Sequence, residues 1–104
     1  MEQRRTKRFK LQLPLSITRT GAERVALPGE TRDISSGGVL FTTDAEPTSG
    51  SIEYVITLDH QGPVHLRCIG KVVRCQRDHA AESPASPSYV VAATLERYEF
   101  LRAR

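Results

Sequence analysis

The chain has 104 residues, 38% of them hydrophobic, with no Trp and with charged side chains spread along its length. So short a chain supports one hydrophobic core, and its composition excludes a disordered or fibrous protein. No apolar stretch reaches the roughly 18 to 20 residues that cross a bilayer, and no apolar signal core follows the N-terminal charges, so we expect a cytoplasmic protein.

Positive charge is concentrated in the first ten residues, which read MEQRRTKRFK. They hold five basic side chains against one acidic, whereas the other 94 residues hold ten basic and eleven acidic. An anionic partner is therefore expected at this end. Twelve of the 15 basic residues are Arg, whose planar guanidinium grips phosphate or a guanine edge and also stacks on a base. We predict a flexible basic N-terminal arm over residues 1–10 and a single domain over residues 11–104.

Short strand patterns fill most of this domain. Apolar residues alternate over residues 11–17, and Pro14 makes this predicted strand an edge or bulged strand. In the longest predicted strand, residues 64–77, Gly70 suggests a bulge. Cys68 and Cys75, seven positions apart on that strand, are predicted to face opposite sides and to form no mutual disulfide. The other predicted strands cover residues 24–34 with a break at Pro28 and Gly29, then 39–43, 52–58, 64–77 and 89–95.

The end of the chain carries two further predictions. Residues 78–88 contain two prolines and no apolar period, which is typical of a mobile loop. Residues 96–104 are predicted to form a short C-terminal helix that packs Tyr98 and Leu101 at i, i+3. Six short strands with almost no helix indicate an all-β fold, a six-stranded antiparallel β-barrel.

Two polar motifs stand out against this background. Arg4 and Arg8 form an Arg-x-x-x-Arg pair in the arm, and Asp33, Ser35 and Gly38 form an Asp-x-Ser-x-x-Gly turn. Each alone is usually explained without a ligand, as a solvated arm or an ordinary turn. Together, at this spacing, they resemble the two-part signature of the PilZ family, and the strand order extends the resemblance over essentially the full chain.

The resemblance implies a PilZ-like barrel of the split-barrel type and a bacterial receptor for cyclic di-GMP, a second messenger with two guanines and two phosphodiester charges. Arg4 and Arg8 suit phosphate or guanine O6 and N7. Asp33 offers an acceptor for guanine N–H donors, Ser35 offers a hydroxyl, and Gly38 lets the backbone approach the ligand. The implied binding residues are Arg4, Arg5, Arg8, Asp33, Ser35 and Gly38, with Lys7, Ser36, Gly37 and Arg74 in second rank.

The resemblance leaves the stoichiometry open between one cyclic di-GMP and a stacked pair, and it implies an unidentified downstream protein partner. One alternative is a small basic barrel that binds single-stranded nucleic acid, although most Tyr and Phe fall on apolar faces instead of forming stacking platforms. Another is a PilZ-like protein-interaction module without a ligand. No enzyme, cofactor or metal site is expected, because no nucleophile-elbow frame surrounds Ser35 and the three histidines lack metal-ligand spacing.

Overall fold

The computed structural model describes residues 9–47, 50–59, 64–78 and 88–102. Within these ranges the regular structure is entirely β. Most of the predicted loop over residues 78–88 and the basic residues before Phe9 lie outside the described part of the chain. The seven strands are β1 (Pro14–Thr20), β2 (Glu23–Ile34), β3 (Gly38–Thr43), β4 (Gly50–Asp59), β5 (Val64–Arg77), β6 (Tyr89–Thr94) and β7 (Arg97–Arg102).

Six of these strands close into an antiparallel barrel. The hydrogen-bonded order is β4-β1-β2-β3-β6-β5, and β5 pairs back onto β4 to complete the ring. Closure pairs both edges of every barrel strand, which removes the exposed edges that an open sheet would present. The predicted six-stranded antiparallel barrel is therefore confirmed, with a seventh strand added to it.

The barrel interior is filled by the alternate residues of its strands. Phe41 and Tyr54 are both fully buried, with ring centroids 5.8 Å apart. The Tyr54 hydroxyl donates to the carbonyl oxygen of Thr94 at 3.0 Å, which satisfies the one polar atom of a buried ring. Burial raises the pKa of Tyr54 far above its ordinary value. Ile17, Ile52, Ile56, Cys68 and Val91 complete the fully buried centre of this core.

The predicted C-terminal helix is wrong. The residues in question form β7, which pairs antiparallel with the first half of β5, so that Tyr98 opposes Cys68 and Phe100 opposes Leu66. The segment alternates with a period of two, and its aromatic residues favour strands. The predicted i, i+3 contact between Tyr98 and Leu101 does not form, because β5 extends beyond β6 and its first half pairs with this segment as a strand. Within the described residues no helix is long and apolar enough to cross a membrane.

The long strand β5 is irregular at a different residue from the one predicted. Its register shifts at Val73, between Val72 and Arg74, and not at Gly70. A bulge inserts one extra residue and so reverses the side-chain alternation beyond it. Cys75 consequently opposes the buried Val91 and packs against the core, on the same side as the buried Cys68. The prediction that the two cysteines face opposite sides is wrong, but both are free thiols, as expected.

Gly70 serves the packing of the barrel instead of a bulge. A Cβ placed on Gly70 would lie only 1.8 Å from the Thr94 carbonyl oxygen, the atom that also accepts the Tyr54 hydroxyl. Only a residue without a side chain lets β5 pass β6 so closely. Gly70 therefore sets the approach of the two strands where the barrel closes.

Candidate functional site

The turn at residues 33–38 joins the end of β2 to the start of β3. The Ser35 amide donates to the Gly38 carbonyl oxygen at 2.9 Å, and the Ser35 hydroxyl donates to the same oxygen at 3.2 Å. The hydroxyl also accepts a hydrogen bond from the Gly37 amide at 3.3 Å. Ser35 thus fastens the turn from inside, a usual task for serine among glycines. Its contact with a ligand stays a prediction.

Gly38 is required by the neighbouring strand. A Cβ at this position would lie 2.8 Å from the Ala93 carbonyl oxygen of β6, closer than real Cβ atoms approach. Gly37, in contrast, has no neighbouring atom within 4 Å of the corresponding position. Its carbonyl oxygen accepts a hydrogen bond from the Leu95 amide at 3.1 Å, which ties the turn to the end of β6. The turn is therefore held from both β2 and β6.

The segment that leads from the basic arm into β1 runs along the end of β2. The Phe9 amide donates to the Ile34 carbonyl oxygen at 2.8 Å, and the Ile34 amide donates to the Phe9 carbonyl oxygen at 2.9 Å. Ile34 is the second residue of the Asp-x-Ser-x-x-Gly motif. The described part of the chain therefore begins against the motif itself.

Thr31 holds this segment from within the barrel. Its side chain is fully buried, and its hydroxyl donates to the Leu11 carbonyl oxygen and accepts from the Leu13 amide, the latter at 2.9 Å. The Thr31 amide also donates to the Leu13 carbonyl oxygen at 2.9 Å. A buried hydroxyl satisfied on both sides fixes the path of residues 11–13.

A cleft of about 430 Å³ lies between this segment and the end of β2. Its volume falls within the range of small-molecule sites. Asp33, which is partly buried, lines this cleft together with two cationic residues. One of them, Arg32, donates to the Asp78 carboxylate at 2.8 Å and is 47% exposed. The lining residues are Lys10, Leu11, Gln12, Arg32, Asp33 and Leu40.

Arg74 lies on the same outer face as Asp33. Asp33 opposes Leu40, Leu40 opposes Ala92, and Ala92 opposes Arg74. Directly opposed residues of antiparallel strands share a face, so these four form one row across β2, β3, β6 and β5. Three strand spacings of about 4.8 Å each separate the two ends of the row. Leu40 and Ala92 are the residues that lie between them on this face.

The predicted site residues therefore fall into two groups. Asp33 and Arg74 share one face, and the turn residues Ser35, Ser36, Gly37 and Gly38 adjoin it. The arm residues Arg4, Arg5, Lys7 and Arg8 lie outside the described residues, and their place in the site stays a prediction.

Sequence reasoning missed two cations of the cleft, Lys10 and Arg32. Lys10 is the last basic residue of the arm, and Arg32 directly precedes Asp33 of the motif. Nearness to a motif in the sequence is the signal available for both. Among the described residues no group of three or more His, Cys, Asp or Glu is placed to hold a metal ion.

Comparison with known proteins identifies the family of the chain and supports its fold. The family model of the PilZ domain matches residues 2–96, and the chain belongs to the PilZ domain family. The structure resembles that of the Bacillus subtilis inhibitor of motility (MotI/DgrA), with a TM-score of 0.61 and 18% sequence identity. The likeness covers 89% of this chain and 43% of that chain, so this chain spans less than half the length of its structural neighbour. A search of curated proteins found no match.

PilZ domains are generally receptors or adaptors for cyclic di-GMP, and they are binding domains instead of enzymes. The family match begins before the arm arginines and ends at Glu96, so it includes both motifs and stops short of β7. At 18% identity the structural neighbour supports the fold alone.

Proposed function

We propose that this chain is a cyclic di-GMP receptor whose N-terminal arm closes over the ligand against the 33–38 turn, and that the closed form signals to a partner protein. The hydrogen-bonded pairing of Phe9 with Ile34 carries this proposal. It brings Phe9, which directly follows Arg8 in the sequence, against the second residue of the turn motif. This pairing supports a single site built from two motifs that are 25 residues apart in the sequence, from Arg8 to Asp33.

Each type of residue in the proposed site suits a different part of the ligand. Arg4 and Arg8 bind the phosphodiester oxygens or the O6 and N7 edge of guanine, since guanidinium groups donate in a fork that fits both. Asp33 accepts from the N–H donors of a guanine. Arg74, which lies at the far end of the outer row, contacts a second base or phosphate in this proposal. Arg5 and Lys7 add positive charge near the phosphates.

Titration calorimetry with cyclic di-GMP, GTP and a short single-stranded oligonucleotide tests the proposal. We expect saturable binding of cyclic di-GMP alone, with an affinity that falls only modestly with salt because two phosphates are neutralised. A protein that tracks a nucleic-acid chain would lose affinity steeply. If the oligonucleotide binds and cyclic di-GMP does not displace it, the nucleic-acid alternative replaces this proposal, and if neither binds, the interaction module without ligand does.

Two substitutions test the site itself. Arg8→Ala and Asp33→Ala should each weaken cyclic di-GMP binding by about 2 to 3 kcal/mol, roughly 30- to 150-fold, because each removes a charge-assisted contact. Arg24→Ala provides a matched control, since Arg24 is an exposed arginine of β2 located nine residues before Asp33. Arg24→Ala should bind like the wild type. An unchanged dissociation constant in either test variant removes that residue from the site.

A further inference from the structure

Strand β7 presents an open edge beyond the barrel. It pairs with β5 on one side, and no strand of the described residues covers its other side. The match to the PilZ domain family ends at Glu96, immediately before β7 begins. An open edge offers unpaired backbone N–H and C=O groups as a template for another strand, and natural proteins usually protect such edges with charges, prolines or bulges.

The inner face of β7 carries two aromatic side chains and, at its end, the charged residue Arg102. Tyr98 and Phe100 are 61% and 62% exposed, and their rings stack edge to face with centroids 6.0 Å apart. Both oppose apolar residues of β5, Cys68 and Leu66, and so share a face with them. Adjacent exposed aromatic side chains beside a free backbone edge are typical of an interaction surface.

The outer face of β7 is charged, with one cation and one anion. Glu99 accepts through Oε1 from the Arg67 guanidinium at 2.9 Å, and Arg67 also binds Glu53 at 3.2 Å. Arg97 lies two residues before Glu99 on the same face and makes no ion pair with another described residue. This face therefore offers a cation that pairs with no acidic side chain of the described residues, next to an anion that is bound on one oxygen.

We propose that two copies of this chain pair through β7, antiparallel and centred on Tyr98. In this register Arg97 of each copy opposes Glu99 of the other, which forms two opposite-charge pairs on the outer face. On the inner face the two Tyr98 rings meet, and each Phe100 lies diagonally beside Tyr98 of the second copy, within reach of an aromatic side chain. A second copy of the same strand thus supplies opposite charges on the outer face and aromatic contacts on the inner face.

The neighbouring registers fit less well. Centring the pair on Glu99 would place the two Glu99 carboxylates directly opposite each other, which is destabilising. Centring it on Phe100 would leave Arg97 and Glu99 without opposite charges across the interface. A six-residue edge with four rings lies below the size of a standard stable interface, so the dimer is weak and its dissociation constant lies in the micromolar range or above.

Sedimentation equilibrium of the purified chain without ligand tests the proposal. A reversible monomer–dimer equilibrium is expected between about 10 μM and about 1 mM. Arg97→Glu and Glu99→Arg should each raise the dissociation constant of the dimer by about tenfold or more, because like charges then oppose each other. The double variant R97E/E99R should return the dissociation constant to within about threefold of the wild-type value. Val73→Ser is the control, since Val73 is an apolar residue of β5 that is 67% exposed away from the edge, and it should leave the equilibrium unchanged.

Amide chemical shifts measured on dilution of the wild type provide a second readout that needs no substitution. Changes should be confined to residues 96–102 and to their register partners in β5. A chain that stays monomeric up to about 1 mM overturns the proposal. So does a dimer whose dilution shifts fall elsewhere, or one that neither charge reversal weakens while circular dichroism reports an intact barrel.

Discussion

Gly38 shows how one residue of a binding motif can be required for a reason other than the ligand. Its place in the motif predicts close approach of the backbone to a nucleotide, whereas in the structure a Cβ on this residue would lie 2.8 Å from the carbonyl oxygen of Ala93. Loss of binding in a Gly38 variant would therefore not by itself establish a ligand contact.

Gly38→Ala should destabilise the barrel by about 1 to 3 kcal/mol, because β3 and β6 must move apart to admit the methyl group. Gly37→Ala is the matched control in the same turn, where the added methyl group meets open space. Its effect on stability should stay within about 0.5 kcal/mol. Urea unfolding of the two variants makes the comparison. Equal stabilities would show that the turn yields easily and that Gly38 is not a packing residue.

Thr31 is the second residue whose role the sequence did not disclose. Thr31→Val keeps the shape but leaves the Leu13 amide without its acceptor, at a cost of about 1 to 3 kcal/mol for an unsatisfied buried group. Hydrogen exchange at the Leu13 amide should accelerate, and cyclic di-GMP binding should weaken because the path into the arm is no longer fixed.

Thr43→Val is the control for this change. Thr43 is also a buried threonine of the barrel, 4% exposed, but its hydroxyl donates to the Pro28 carbonyl oxygen at 2.9 Å, away from the arm. Thr31→Ser, which retains the hydroxyl, should restore both exchange and affinity. Equal weakening of binding by the Thr31→Val and Thr43→Val variants would mean that general loss of stability, and not the path of the arm, lowers affinity.

At the scale of the elements, periodicity predicted best where strands are long and alternate cleanly. The predicted limits of β5, residues 64–77, are those of the structure, and β3 and β6 differ by one residue at a single end each. β2 continues through Pro28 and Gly29, where a break was predicted, because β1 pairs with it across both residues. The helix predicted at the end of the chain failed for a similar reason. Local spacing cannot reveal that a partner strand is available.

A chain of ion pairs on the outer face connects β4, β5 and β7 through Arg67. The hydrogen bond that Arg67 donates to Glu53 lowers the pKa of the Glu53 carboxyl group below its ordinary value of 4.5. The Thr18 hydroxyl donates to the same carboxylate at 2.9 Å and also lowers this pKa. A group with a lowered folded-state pKa stabilises the fold above its ordinary pKa, and this contribution is lost as the pH falls through the folded-state value.

Glu53→Gln should therefore lower stability at neutral pH by about 0.5 to 1 kcal/mol, a small amount because the Arg67 side chain is 37% exposed and water screens the pair. The difference between variant and wild type should shrink on acidification below pH 4.5. Urea unfolding from neutral to acidic pH measures it. A difference that stays constant over this range would assign the effect to packing of the side chain instead of its charge.

At the scale of the whole molecule, the sequence predicted a closed barrel because it contains six strand patterns and a family signature, but not how the ring closes. β5 is long enough to pair with β4 along its first half while its second half pairs with β6, and this double use closes the barrel. Such a pairing joins residues that are far apart in the sequence. The bulge at Val73 shifts its register, and no residue type in the sequence marks this position as a bulge. The motif, in contrast, is local and was recognisable from its spacing.

The arm is the part of the molecule whose behaviour the proposed function depends on most. At its base Phe9 is held by two backbone hydrogen bonds to Ile34, while the Phe9 side chain is 55% exposed. The base is thus attached through its backbone and not through burial of a side chain. Residues 1–8 contain four basic side chains and no apolar residue after Met1, so their sequence offers nothing that would pack on a core.

We therefore expect residues 4–8 to be mobile without ligand and to become ordered when a bound dianion neutralises their charge. Ordering about eight residues costs backbone entropy of order 1 kcal/mol each, so affinity should lie in the micromolar to high-nanomolar range despite many contacts. Backbone amide relaxation with and without cyclic di-GMP measures the change, and the amides of β3 serve as the rigid reference. Arm amides as rigid as β3 before ligand is added, or still mobile at saturation, would exclude arm closure even if the ligand binds, because the signal would then have to come from a surface that is already formed.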